Sequence, residues 1–368
     1  MGLFSSKQDD ALIEQVKAAI LDIEDPNTGE PLKEGGAVLE VDIRKGHVAV
    51  HLVLPYPAAG STDEMTSRIT NVLEPIDGIE NVDVKISCDV VAGPVQGGQI
   101  PMSQVKNIIA VASGKGGVGK STTAVNLALA LAAEGARVGL LDADIYGPSQ
   151  PRMLGSREHP ASPDGRSMMP VMAYGLQSMS IGYLIEEDNP MIWRGPMVTS
   201  ALIQLLNDTR WDNLDYLVVD MPPGTGDVQL TLAQKVPVAG AVIITTPQDI
   251  SLIDARKGLK MFEKVNVPVL GIIENMSLHI CSNCGHVEHI FGEGGGERLA
   301  ADYDVPLLGA LPLDKSIREQ VDSGHPTVAV DPEGPIAHIY RKIARKMAAR
   351  LAKLSVGGDN FPKIVIED

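Results

Sequence analysis

The sequence has few cysteines, no surplus of positive charge and no long uncharged apolar run, and each shortage excludes a class of protein. Three cysteines among 368 residues are too few, and odd in number, for a fold stapled by disulfides. They leave thiols available for metal or catalytic work in a reducing compartment. Asp and Glu number 47 against 31 Lys and Arg, a formal charge of −16, which argues against general binding to DNA or RNA. No apolar run reaches 18 residues without a charge, and the N-terminus lacks the charged-then-apolar layout of a signal peptide. The expectation is a cytoplasmic chain with no nucleic-acid partner and no stable membrane association. Met1–Ser6 fits the myristoylation pattern, but no polybasic segment follows, so lipidation is not expected. What is present, 44% hydrophobic and 21% charged residues, suits a globular protein, and the length suits two domains.

Apolar periodicity divides the chain. Leu12, Val16, Ile20 and Ile23 fall at helical spacing over residues 9–25, and Leu39, Val41, Ile43 then Val48, Val50, Leu52, Leu54 alternate on either side of Lys45-Gly46. A helix over about 62–74 and a strand at Val82–Ile86 complete a small α/β domain, residues 1–91. Residues 92–104, rich in Gly, Pro and Gln without periodicity, read as a linker. From 105 to 368, apolar strands at 107–113, 138–141, 216–219, 241–245, 267–273 and 307–311 alternate with helices, which predicts a doubly wound, mostly parallel sheet. Residues 155–190, with clustered Met, Pro and Gly, are the least readable. A last helix, about 333–354, is amphipathic and basic. It is expected to pack on its own sheet, because its apolar face lacks Phe and Trp and an acidic tail, Glu367-Asp368, follows.

Between the strand at 107–113 and the next helix lies Gly114-Lys115-Gly116-Gly117-Val118-Gly119-Lys120-Ser121, a phosphate-binding loop. Its glycines let backbone N–H groups curl around phosphates, Lys120 supplies a point charge to the β- and γ-phosphates, and the Ser121 hydroxyl ligates magnesium. Gly114, Gly116 and Gly119 also satisfy the dinucleotide fingerprint, with Asp142 and Asp144 about 20 residues onward. Lys120-Ser121 decides against that reading, since a dinucleotide turn gains nothing from an ammonium and a metal-binding hydroxyl there.

Tyr216–Asp220 is an apolar strand ending in a carboxylate, the arrangement that holds magnesium opposite such a loop. The glycines of Met221-Pro222-Pro223-Gly224-Thr225-Gly226-Asp227 suit a switch segment that senses the γ-phosphate. Asp142 and Asp144 follow another strand, where one can orient water; helix capping is the plain alternative.

Cys281-Ser282-Asn283-Cys284 places two thiols on a glycine-flanked loop, and one such pair supplies half of the four ligands that tetrahedral zinc or a 4Fe-4S cluster needs. On the residues alone, an intrachain zinc site with His286 and His289 ranks first, and a redox pair and a plain turn stay open. Cys88 stands alone and is given no role.

Together, GKGGVGKS with lysine at 115 as well as 120, DADIYGPS and DMPPGTGD resemble the deviant P-loop ATPases that include MinD, ParA and the nitrogenase iron protein, and within them the Mrp/ApbC iron-sulfur cluster carriers. The resemblance implies an ATPase using ATP and magnesium, working as a homodimer. In it Lys115 crosses to the partner's nucleotide, Asn275 reads adenine, and paired Cys281 and Cys284 hold a labile 4Fe-4S cluster between subunits. It further implies apo iron-sulfur acceptor proteins and cluster-assembly factors as partners. The N-terminal domain resembles the small domain of such assembly factors, some of which carry a cysteine after the hairpin. Pro55–Gly60 has none here, so partner docking fits that domain better than cluster ligation. The same resemblance leaves a MinD-like or ParA-like positioning ATPase as the alternative, and an electron donor as a third.

Overall fold

Alternation on either side of Lys45-Gly46 closes into a hairpin because both turn residues take positive φ, 49° and 78°, matching the twist of the flanking strands. Strands β1 (Val38–Arg44) and β2 (His47–Leu54) are the antiparallel pair, and β3 (Asn81–Cys88) adds to β2 in parallel. Helices α1 (Lys7–Leu21) and α2 (Thr62–Leu73) belong to the same unit, whose core includes Val16, Ile20, Val48, Val50, Leu52, Met65 and Ile69. The helix expected over residues 9–25 ends at Leu21, and Glu24 beyond it bridges instead to Pro31. This computed structural model describes residues 7–95, 99–185 and 195–356. Met1–Ser6 and the acidic tail lie outside them. Contacts divide the chain into two units, Met1–Pro94 with Ala348–Asp368, and Val95–Met347.

The second unit begins with β4 (Val105–Ser113), whose near-continuous apolar run is buried on both faces as parallel sheets require. There follow α3 (Lys120–Ala133), β5 (Val138–Asp142), a short α4 (Gln150–Met153), β6 (Val171–Ala173), β7 (Leu176–Ser180), α5 (Gly195–Asp208) and β8 (Leu214–Asp220). Then come α6 (Asp227–Lys235), β9 (Gly240–Thr245), α7 (Asp249–Lys264), β10 (Val269–Glu274), a hairpin of β11 (His279–Ile280) and β12 (Val287–Glu288), and α8 (Gly295–Asp302). The order closes with β13 (Leu307–Ala310), α9 (Lys315–Asp322), α10 (Thr327–Val330) and α11 (Pro335–Val356), the last reaching past the unit boundary.

The main sheet runs β13-β10-β9-β4-β8-β5-β7-β6, parallel except where β6 meets β7. Both faces are covered. Ile108, Ala110 and Ala112 of β4 join one core with Leu217, Ile243 and Phe262, while Ile109 and Val111, pointing the other way, are just as buried. Among the described residues no helix is long and apolar enough to cross a membrane. Register sets Val111 and Asp142 opposite Asp220, so β4, β8 and β5 deliver their carboxyl ends to one edge, where such sheets bind ligands.

Candidate functional site

The loop after β4 folds as its glycines dictate. Gly117 and Gly119 both take φ of 81°, a left-handed conformation that costs a side-chain-bearing residue strain. Gly114 has no room for a side chain, since a Cβ there would lie 2.1 Å from the backbone of Asp254 on α7. The loop is thereby pinned to α7 at one end and opens α3 at the other.

Lys120, the first residue of α3, turns its ammonium inward to the Asp220 carboxylate and lies 3.1 Å from Ser121 Oγ. Both members of this ion pair are buried. Asp220 is held from its other side by Gln150 Nε2, 2.9 Å from Oδ2, and the same amide nitrogen donates to the Ser121 carbonyl at 3.0 Å. Gln150 Oε1 is buried with no hydrogen-bond partner among the described residues. Ser121 Oγ, Asp220 and this amide oxygen are hard oxygen donors, the set that magnesium takes. They fit that ion.

Asp142 does the capping work foreseen as the alternative. Its carboxylate accepts from the backbone N–H of Asp144 (3.1 Å), Ser149 (3.0 Å) and Gln150 (3.1 Å), and from the Ser180 hydroxyl (3.0 Å). Burial, and then the neighbouring Asp220 charge, push its carboxyl up to about 7. Asp144 is half-buried, and burial again raises its carboxyl above the ordinary value, opposed by Lys120. Lys115 is half-buried and its carbonyl accepts from Ser113 Oγ at 2.8 Å. The switch segment is tied to the loop by Gly224 N–H donating to Ser113 O at 3.0 Å, and Gln229 closes it from behind through Pro223 O.

Asn275 follows β10 directly. Its Nδ2 donates to Val118 O at 2.9 Å and its Oδ1 accepts from Met276 N–H, so the side chain braces the phosphate loop and keeps one N–H and one lone pair for a ligand. Six positions on, the chain presents Cys281. The two cysteines sit on the β11–β12 hairpin, a small sheet the sequence did not disclose, closed by Cys281 N–H to His286 O at 2.9 Å. Cys284 is exposed and Cys281 half-exposed. Backbone N–H groups of Asn283 and Cys284 lower the Cys281 thiol below its usual range, which favours the metal-binding thiolate. His289 does not face them with Nδ1, which meets the Ser277 carbonyl at 3.0 Å. Among the described residues no three His, Cys, Asp or Glu side chains gather to hold a metal ion.

One end of the sheet therefore brings together Gly114–Ser121, Asp142, Asp144, Asp220 and Asn275. The cysteine pair lies on the segment that leaves this end. Sequence reasoning missed Gln150, Ser180 and Gln229; the first stands directly after DADIYGPS, and only its neighbours in space give it meaning.

A family model described as NUBPL iron-transfer P-loop NTPase matches residues 104–348, which include every loop residue and both hairpin cysteines. The chain belongs to this family. A second model, an iron-sulfur cluster assembly protein, matches residues 13–86. The chain is 53% identical to the iron-sulfur cluster carrier protein of Escherichia coli K12 over 94% of each chain. It is 54% identical to the mouse (Mus musculus) iron-sulfur cluster transfer protein NUBPL over 69% of this chain and 80% of that one. Among solved structures, an ADP-bound nucleotide-binding protein from Archaeoglobus fulgidus is 37% identical with a TM-score of 0.55, covering 63% of this chain and 90% of its own. The cell-division ATPase MinD of Pyrococcus furiosus, 23% identical with a TM-score of 0.50 over 66% of this chain and 98% of its own, shares the fold. The P-loop NTPase fold of this family is thus the frame on which the loop, the carboxylates and the hairpin are mounted.

Proposed function

We propose that this chain is a cytoplasmic, homodimeric, ATP-dependent iron-sulfur cluster carrier, which binds a labile 4Fe-4S cluster between paired Cys281 and Cys284 and hands it to apo-proteins. The observation that carries this reading is the short path between the two chemistries. Asn275 braces Val118 of the phosphate loop, and Ser277, two residues on, holds His289 behind the cysteine hairpin. Met276, between them, takes a left-handed φ of 56°, so the two contacts leave a constrained turn rather than a slack tether. A shift of the loop around phosphate would reach the thiols through two hydrogen bonds. A relative named as an iron-sulfur cluster carrier protein, matched along nearly the whole chain, supports it.

On binding, Lys120 would exchange the Asp220 carboxylate for phosphate oxygens, while Ser121 and Asp220 would hold magnesium, whose charge would offset that of the phosphates. Lys115, half-buried in the phosphate loop, is the residue that would reach a partner's nucleotide. Asp144, with its carboxyl raised by burial, would orient and deprotonate the attacking water. Two thiolates per chain and a twofold axis complete four ligands for the cluster. The small N-terminal unit, with its assembly-protein match, would dock acceptors or assembly factors.

The test is anaerobic reconstitution, followed by light scattering and transfer of cluster to an apo-acceptor. The wild type should give iron-sulfur absorption and a dimer; Cys281→Ser and Cys284→Ser should lose both absorption and transfer, and Lys120→Ala should lose nucleotide binding while keeping the thiols. A protein that stays monomeric and takes up zinc but no iron overturns the reading.

A further inference from the structure

Gln150 is 1% exposed, on the short helix that follows the Asp142 loop, 70 positions before Asp220 and 29 after Ser121. Its orientation is fixed by chemistry: the two atoms near one end of its amide, Ser121 O and Asp220 Oδ2, are both acceptors, so that end is the NH2 group. Both N–H bonds are spent tying the β8 carboxylate to the first turn of α3. The carbonyl end is left buried without a donor among the described residues, a costly condition that folded proteins rarely keep without use. The backbone N–H of the same residue is anchored on Asp142.

We propose that Gln150 sets the magnesium affinity of the nucleotide site, as a positioning residue that holds Asp220 by Oδ2, leaves Oδ1 on the Lys120 side, and keeps an amide oxygen available to the cation's surroundings. A carboxylate free to rotate would spend part of its time turned toward Lys120 with both oxygens; the amide clamp removes that freedom before any ion arrives. Leucine, close in volume and without polar atoms, removes the clamp and the orphaned oxygen together. Glutamate keeps the shape but turns the two donated hydrogen bonds into repulsions with Ser121 O and Asp220.

This inference rests on the nucleotide reading above, and the experiment separates the two. Binding of a fluorescent ATP analogue is titrated with magnesium, and again in EDTA, for wild type, Gln150→Leu and Gln150→Glu, with thermal melts as a check on folding. A wild type that binds no nucleotide ends the nucleotide reading. Given a wild type that binds, Gln150→Leu should raise the half-saturating magnesium concentration about tenfold or more while nucleotide affinity in EDTA changes by less than about twofold. Gln150→Glu should shift the magnesium dependence as well. The inference is overturned if Gln150→Leu keeps the wild-type magnesium dependence, or if it loses affinity equally with and without magnesium, which is what a purely structural role produces.

Discussion

Gly119 and Gly117 take the same φ of 81°, yet their surroundings differ, and that contrast makes a quantitative experiment. A Cβ at Gly117 would meet nothing within 4 Å, whereas at Gly119 it would lie 2.2 Å from Asn275 Nδ2. Gly117→Ala therefore pays only the left-handed strain, about 1–2 kcal/mol. Gly119→Ala adds the displacement of Asn275, which breaks its bond to Val118 O and leaves a buried carbonyl short of a donor, a further 1–2 kcal/mol or so. With roughly 2–4 °C per kcal/mol for a unit of this size, Gly119→Ala should melt about 4–16 °C below wild type and Gly117→Ala about 2–8 °C below, measured without nucleotide. The overlap is resolved by repeating both in an Asn275→Ala background, where the extra cost of Gly119→Ala should vanish and the two alanines should become equivalent. If Gly119→Ala costs as much beyond Gly117→Ala without Asn275 as with it, Asn275 does not brace the loop, and the path from phosphate to hairpin loses its first contact.

Two further outcomes follow from the buried charges. Lys120→Met strands Asp220 without its cation and should destabilise the nucleotide-free protein by about 3–5 kcal/mol in urea melts, most of it recovered in Lys120→Met/Asp220→Asn; no recovery would show that the pair is not the source. Asp142, whose carboxyl rises from 3.8 to about 7, binds its proton more tightly folded than unfolded, so its contribution is complete below about pH 4 and is lost as pH climbs to about 7. Urea midpoints across that range should fall with pH in the wild type and be flatter in Asp142→Asn; equal slopes would count against a raised Asp142.

What the sequence disclosed and what it withheld separate by range. The phosphate loop was legible because a cradle of backbone N–H groups needs glycines at fixed local spacing, and β4 was legible because a strand buried on both faces is apolar at every position. Asp220 was found by the same local logic, a carboxylate closing an apolar strand. The pair β6 and β7 was not, because each strand is short and acquires its identity from the sheet edge it joins. The cysteine hairpin was read as open loop for a similar reason, since two residues per strand carry no periodicity. Capping by Asp142 and orienting water were indistinguishable on paper, both asking for an acid after a strand; the three backbone N–H groups converging on it show the capping.

Gln150 marks the limit of local reading most clearly. No motif requires an amide there, and helix propensity or patterning assigns it nothing. Its partners, Ser121 and Asp220, arrive from α3 and β8, and only a sheet that sets β5 beside β8 and β8 beside β4 brings them within 3.0 Å of one nitrogen. The residues that bind phosphate must be contiguous, because a loop has to wrap a single group. Those that orient a metal-binding carboxylate need only be near it, so they can come from anywhere the topology converges, and a reading confined to spacing along the chain passes over them.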